Sequence, residues 1–158
     1  MAYDVYNRLL TTTYPDGTSM SHTYDVEGNK LTDTDRLGRT TTYTYDALNR
    51  VVKTTYADGA EMSNVYDAAG RMTNSTDARG NTMTYEYDAA NRRTAVVDAL
   101  DNRHEYSYDA AGNVTAETDA RGNTMSYTYN DLDQRTRMTY ADATATVDSL
   151  DALGRRTR

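Results

Sequence analysis

Tyrosine recurs every 21 residues along this chain without one slip, at Tyr3, Tyr24, Tyr45, Tyr66, Tyr87, Tyr108 and Tyr129, and Leu150 stands at the next position. Each is followed by an acid or its amide: Asp4, Asp25, Asp46, Asp67, Asp88, Asp109, Asn130, then Asp151. A fixed short period is the signature of stacked supersecondary units, each too small to bury a core of its own. About seven and a half copies fill residues 1–158 as a single array, with no linker and no second domain expected.

Each unit carries two turn signals. The first reads Asp-x-x-Gly/Asn, as in Asp25 to Gly28, Asp46 to Asn49, Asp67 to Gly70, Asp88 to Asn91, Asp109 to Gly112 and Asp151 to Gly154. Asp favours the first position of a type I turn, because its carboxylate accepts a backbone N–H two residues on. Gly and Asn tolerate the positive φ that closes such a turn with a bulge. The second signal lies ten residues later: Asp35 to Gly38, Asp77 to Gly80 and Asp119 to Gly122, with Tyr14-Pro-Asp-Gly17 and Tyr56-Ala-Asp-Gly59 as variants.

Between turns run stretches of about six or seven residues rich in Thr, Tyr, Val and Met. In Asn81-Thr-Met-Thr-Tyr-Glu-Tyr87, Met83, Tyr85 and Tyr87 fall on one face and Thr82, Thr84 and Glu86 on the other. That alternation is the mark of a half-buried strand. Return segments such as Arg71 to Thr76 are Thr-rich but poorly patterned, and are read as strands from spacing and β-branching. Short turns join antiparallel neighbours. The fold class expected is therefore all-β, a repetitive antiparallel hairpin meander forming an extended, curled or spiral sheet of about 14–15 strands.

In such a sheet the motif tyrosines form a row, about 9.6 Å apart at a strand spacing of ~4.8 Å. A second row runs through Tyr43, Tyr85, Tyr106 and Tyr127. The composition fits: no Phe, no Trp and no Ile, but 15 Tyr. A Leu/Ile/Phe core is excluded, and Tyr, Met and Thr must do the packing. A weaker 42-residue superperiod is visible in Thr76 to Tyr85, nearly repeated as Thr118 to Tyr127. It reads as duplication of two-hairpin units; chance among Ala- and Thr-rich repeats is the alternative.

Function classes narrow quickly. A formal net charge of -7 argues against nucleic-acid binding. No run of about 18 apolar residues exists, so no membrane span is expected, and the residues after Met1 give no expectation of a signal peptide. With no cysteine, disulfides, thiolate zinc sites and cysteine nucleophiles are excluded. His22 and His104 occupy different repeat positions. Asp33, Asp35 and Gly38 faintly suggest a calcium loop but lack its ligand set. Equivalent turn aspartates do not make the pair of differentiated carboxylates that acid–base chemistry uses. No catalytic residue, cofactor or metal is expected, and no enzyme.

Tyr43-Thr-Tyr-Asp-Ala-Leu-Asn-Arg50, Tyr85-Glu-Tyr-Asp-Ala-Ala-Asn-Arg92 and Tyr106-Ser-Tyr-Asp-Ala-Ala-Gly-Asn113 resemble the YD repeat of Rhs and teneurin-like proteins. The resemblance covers nearly the whole chain. It implies hairpins in a long sheet that winds into a hollow shell, which in bacterial toxins encloses a C-terminal effector. It also implies secreted or cell-surface proteins. The family's protease and toxin regions are not seen after the repeats.

The expected function is then a structural module of a secreted or cell-surface shell or filament. The alternatives are a carbohydrate-binding adhesion surface, with a glycan as partner, and a fragment of a toxin-enclosing shell. Open sheet edges would favour self-association, as a homopolymer or with the remainder of a longer YD-repeat chain. The residues expected to carry the structure are the two tyrosine rows and the turn positions Asp25, Gly28, Gly38, Asp46, Gly59, Asp67, Gly70, Gly80, Asp88, Asp109, Gly112 and Gly122.

Overall fold

Frequent turn formers separated by Thr- and Tyr-rich stretches leave the chain little choice but hairpins, and the computed structural model consists of them. It describes residues 1–150 and 156–157. The turn expected at Asp151 to Gly154 lies outside the described residues, apart from the flanking ladder of Ser149–Leu150 with Arg156–Thr157. The chain divides into two compact units, Met1–Thr82 and Met83–Arg158.

The first unit holds β1 (Ala2–Tyr3), β2 (Leu9–Thr13), β3 (Ser19–Tyr24), β4 (Lys30–Thr34), β5 (Thr40–Tyr45), β6 (Val51–Thr55), β7 (Glu61–Tyr66) and β8 (Met72–Thr76). Each pairs antiparallel with the next in sequence order. The second unit repeats the plan with β9 (Thr82–Tyr87), β10 (Arg93–Val97), β11 (Arg103–Tyr108), β12 (Val114–Thr118), β13 (Thr124–Tyr129), β14 (Arg135–Thr139) and β15 (Ala145–Val147). Fifteen antiparallel strands thus form the meander, with no helix among the described residues.

The pairing explains why the return strands are poorly patterned. In each hairpin closed by a Tyr-Asp turn, the register slips by one residue on the return strand. Tyr45 opposes Val51 and Thr44 opposes Lys53, which leaves Val52 as the extra residue. Tyr108 opposes Val114 and Ser107 opposes Ala116, with Thr115 between. One inserted residue shifts the period-2 alternation by a face, so Val51 and Thr54 lie on the tyrosine side, not alternate residues. Hairpins closed by the second turn have no slip.

Ala95 is the one fully buried hydrophobic residue described. It sits between Glu86 and Glu105 across the ladder. Arg103 spans both acids, with Nη1 2.6 Å from Glu86 Oε1 and Nε 2.7 Å from Glu105 Oε1. A small side chain under a two-armed ion pair therefore replaces a core at this point. Elsewhere among the described residues the side chains are half-buried or exposed, and stability has to come from contacts between neighbouring strands and hairpins.

Candidate functional site: the tyrosine row and its turns

A tyrosine half-buried on a sheet needs a partner for its hydroxyl. Along the first row that partner lies on the preceding hairpin. The hydroxyls of Tyr24, Tyr45, Tyr66, Tyr108 and Tyr129 donate to the backbone carbonyls of Leu9, Lys30, Val51, Arg93 and Val114, at 3.1, 2.8, 3.3, 2.7 and 2.8 Å. Donor and acceptor are always 15 residues apart. Burial, with the neighbouring Tyr43 second, pushes the Tyr45 hydroxyl up. Tyr87 is half-buried at its row position. Tyr3 is 51% exposed and donates to Met1 Sδ at 3.4 Å.

The turn aspartates work through both carboxylate oxygens. Asp46 Oδ1 accepts the N–H groups of Leu48 and Arg50 at 2.9 and 3.1 Å, and Oδ2 accepts from Arg50 Nε at 2.8 Å. The side chain of Arg50 holds the Asp46 carboxyl below its ordinary value. Asp67 and Asp88 take the same pattern with Arg71 and Arg92. Asp25 and Asp109 pair instead with Asn29 and Asn113.

Each turn is closed by the N–H of its fourth residue donating to the first residue's carbonyl, as from Gly28, Gly38, Gly59, Gly70, Gly80, Gly112 and Gly122. All of these glycines have positive φ. Four further turns share the geometry with Asn7, Asp101, Asp133 and Ala143 in the left-handed position. Asp4 to Asn7 fits the first signal, whereas the other three turns have Asp or Ala where the signal has Gly or Asn.

Arginine supplies links that lie outside the turn and tyrosine motifs. Arg8, Arg50 and Arg92 follow turns closed by Asn7, Asn49 and Asn91. Their guanidinium groups lie over the rings of Tyr24, Tyr66 and Tyr108 in the next repeat, at 4.8, 4.3 and 4.6 Å from the ring centroids. Arg8 and Arg92 also donate from Nη1 to the carbonyls of Asp25 and Asp109, at 2.9 and 2.7 Å. Arg50 Nη1 lies 3.3 Å from where a Cβ on Gly70 would stand, so a side chain there would have to push the guanidinium aside by a few tenths of an ångström as well as adopt positive φ. In the alternate repeats, Asn29 and Asn113 reach Asn49 Oδ1 and Asp133 Oδ1, each at 2.8 Å. The arginine clamps at Arg8, Arg50 and Arg92 thus follow the 42-residue spacing, while the asparagine links at Asn29 and Asn113 lie 84 residues apart with Arg71 between them.

The second row lies on the same face. Tyr43 opposes Thr54, Tyr85 opposes Val96, Tyr106 opposes Glu117 and Tyr127 opposes Met138. Burial and then the charge of Glu117 push the Tyr127 hydroxyl up. All four are half-buried. His22 lies 3.1 Å from Asp33, and His104 is on β11, away from any second histidine. Among the described residues, no group of three or more His, Asp or Glu is placed to hold a metal ion.

The RHS Repeat family profile matches residues 24–61, 66–103 and 106–145, more than half of the chain. A search of curated proteins finds no match. Among solved structures, the crystal structure of TcdB2-TccC3-Cdc42 is similar at 21% identity and a TM-score of 0.64, over 80% of this chain and 7% of that one. The Photorhabdus luminescens Tc holotoxin pore is similar at 20% identity and a TM-score of 0.66, over 91% of this chain and 9% of that one. TcdB2-TccC3 without its hypervariable C-terminal region gives 17% identity and a TM-score of 0.66 over 99% of this chain. The chain therefore spans under a tenth of the length of those structures, and the likeness is one of fold.

Proposed function

This chain belongs to the RHS repeat family, and we propose from that premise that it is a non-enzymatic structural module, a length of β-sheet wall in a secreted or cell-surface shell or filament. The observation that carries the reading is where the polar groups of each repeat find their partners. A row hydroxyl bonds to the hairpin before it, and a clamp arginine covers the tyrosine of the repeat after it. A repeat on its own leaves both unsatisfied, so the unit is made for continuation. β1 pairs only with β2 and β15 only with β14 among the described residues, which leaves ladder groups for another strand. Further repeats of the same kind, from a longer parent chain or from other copies, are the partners proposed.

Electron microscopy with sedimentation over a concentration range tests this. Shells or filaments of the chain, or of the reading frame that contains it, support the wall. A monodisperse monomer from a complete reading frame contradicts it. A second reading, that the wall encloses a toxin effector, is favoured by the likeness to the Tc toxin structures. An effector-coding segment downstream in the same reading frame would select it.

A further inference from the structure

The turns opposite the Tyr-Asp end contain one binding event that the chain performs on itself. Tyr14, Asp16 and Thr18 form a cradle in which Asp16 Oδ1 accepts the Thr18 N–H at 3.1 Å and its hydroxyl at 2.7 Å. Arg36 from the next such turn fills it. Its guanidinium lies 4.3 Å over the Tyr14 ring, its Nε donates to Thr18 Oγ1 at 2.9 Å and its Nη2 pairs with Asp16 Oδ2. Ring face, carboxylate and hydroxyl together match the flat, multiply donating guanidinium better than an ammonium.

The same cradle recurs three superperiods later as Tyr140, Asp142 and Thr144. Asp142 Oδ1 accepts the Thr144 N–H at 2.9 Å and its hydroxyl at 2.6 Å. Those bonds hold the Asp142 carboxyl below its ordinary value, so it is charged at neutral pH. The intervening Tyr56 turn has Ala60 in place of the threonine, so the full set occurs in these two turns. Among the described residues, no guanidinium or ammonium covers Tyr140 or pairs with Asp142. The ring is 37% exposed.

What stands beside the second cradle is a cleft of about 750 Å³, lined by Tyr106, Glu117, Asp119 and Met125 together with Tyr140 and Asp142. Its counterpart in the first unit, lined by Asp33, Asp35, Thr41 and Tyr56, carries its own cations. Arg39 pairs with Asp35 at 2.6 Å and Lys30 with Asp33 at 3.1 Å. At the corresponding positions the second unit has Asn123 and Val114, both neutral. Asn123 donates to Asp119 at 2.9 Å without cancelling its charge. Nearby arginines are engaged elsewhere: Arg103 by Glu86 and Glu105, Arg135 by Asp148. Arg121 lies in the Asp119 turn but does not line the cleft.

We infer that the Tyr140, Asp142 and Thr144 cradle, with the adjoining acidic cleft, binds an arginine side chain presented by a further repeat, as the next such turn presents Arg36 to the Tyr14 cradle. The guanidinium stacks on Tyr140 and pairs with Asp142 as Arg36 does with Tyr14 and Asp16, and Glu117 and Asp119 attract it. This inference rests on the reading that the array continues, and a peptide titration tests the cradle without requiring assembly.

The test is an NMR titration of the whole chain with acetyl-Gly-Arg-Gly-amide, with citrulline- and lysine-containing analogues alongside. Saturable shifts are expected at the Met125 methyl and the Tyr140 ring, with the Met20 methyl of the first unit unmoved. The lysine peptide should bind several-fold more weakly, and the citrulline peptide not measurably. Glu117→Gln and Asp142→Asn should each weaken binding at least fivefold, with the hairpin resonances otherwise retained. Arg36→Ala should empty the first cradle and create a second set of shifts at Tyr14. Equal binding of the citrulline peptide, no saturable shift at Met125, or no new site in Arg36→Ala would each overturn the assignment.

Discussion

The two ends of the hairpins are built differently. At the Tyr-Asp end, links run between hairpins: row hydroxyls bond to the preceding hairpin's carbonyls and arginines lie over the following repeat's rings. At the opposite end, the recurring links lie across a single turn, on the same strand pairs that the row hydroxyls join. Thr34 and Thr40 share a hydroxyl hydrogen bond at 2.8 Å, as do Thr76 and Thr82, and Thr118 and Thr124 at 2.9 Å. The link from one turn to the next seen at that end is the one from Arg36 to the Tyr14 turn. One edge of the structure therefore carries most of the links from turn to turn along the array. The slipped register belongs to that edge as well, where the extra residue adds local twist.

Substitutions at matched positions on the two ends can break this contrast. The largest effect is expected for Gly70→Val. It strains a turn at φ 85 and drives a side chain against Arg50, for a loss of about 3 kcal/mol. Gly80→Val, with the same φ and open space around it, should lose about 2 kcal/mol. Urea denaturation compares them, and equal losses would remove the clamp's role. Gly80→Val combined with Gly122→Val should lower the melting temperature further, since both turns need positive φ.

Next in size, Tyr45→Ala should cost about 2 kcal/mol, since its ring is half-buried and its hydroxyl anchored on Lys30. Tyr56→Ala, whose hydroxyl meets only Met62 Sδ, should cost under about 1 kcal/mol. A smaller effect of opposite sign is expected at Ala143. It holds φ 65, where a Cβ is unfavourable, so Ala143→Gly should raise stability by about 1 kcal/mol in the same assay.

The smallest effects per residue are electrostatic. Arg50 and Asn81 hydrogen bonds keep Asp46 and Asp77 below the ordinary value of 3.8. A depressed carboxyl stabilises the fold above its unfolded value, and the contribution is lost as pH falls through the folded value. Thermal melts should therefore be flat from neutral pH down to about 4 and drop below it. Asp46→Asn should flatten the drop without removing the turn, as Asn130 already serves in the equivalent place.

Much of this was legible because turns and alternation are local. Asp25, Gly28 and their repeats mark hairpins through side-chain chemistry that acts within five residues. The period of 21 then fixes the antiparallel order. Two features were out of reach for a physical reason. The inserted residue at Val52 or Thr115 has no special chemistry, and only pairing with the partner strand defines it. The clamp from Arg92 to Tyr108 joins residues 16 apart whose proximity depends on that register. Row tyrosines were identifiable from spacing, but not the carbonyls their hydroxyls reach. The turn at Asp98 to Asp101 departs from the pattern at its last position, yet the Asp98 carboxylate keeps the same geometry by accepting the N–H groups of Leu100 and Asn102.

The central claim is that row hydroxyls couple successive hairpins. The direct measurement is the unfolding free energy of a chain with Tyr24, Tyr45, Tyr66, Tyr108 and Tyr129 all changed to Phe. Every ring and every arginine stack is kept, and five bonds to neighbouring carbonyls are lost. At about 1 kcal/mol each, the loss should reach about 3–5 kcal/mol. A control with Tyr14, Tyr56 and Tyr140 changed to Phe should lose less than about 1 kcal/mol in all. Equal losses per tyrosine in the two chains would contradict the account.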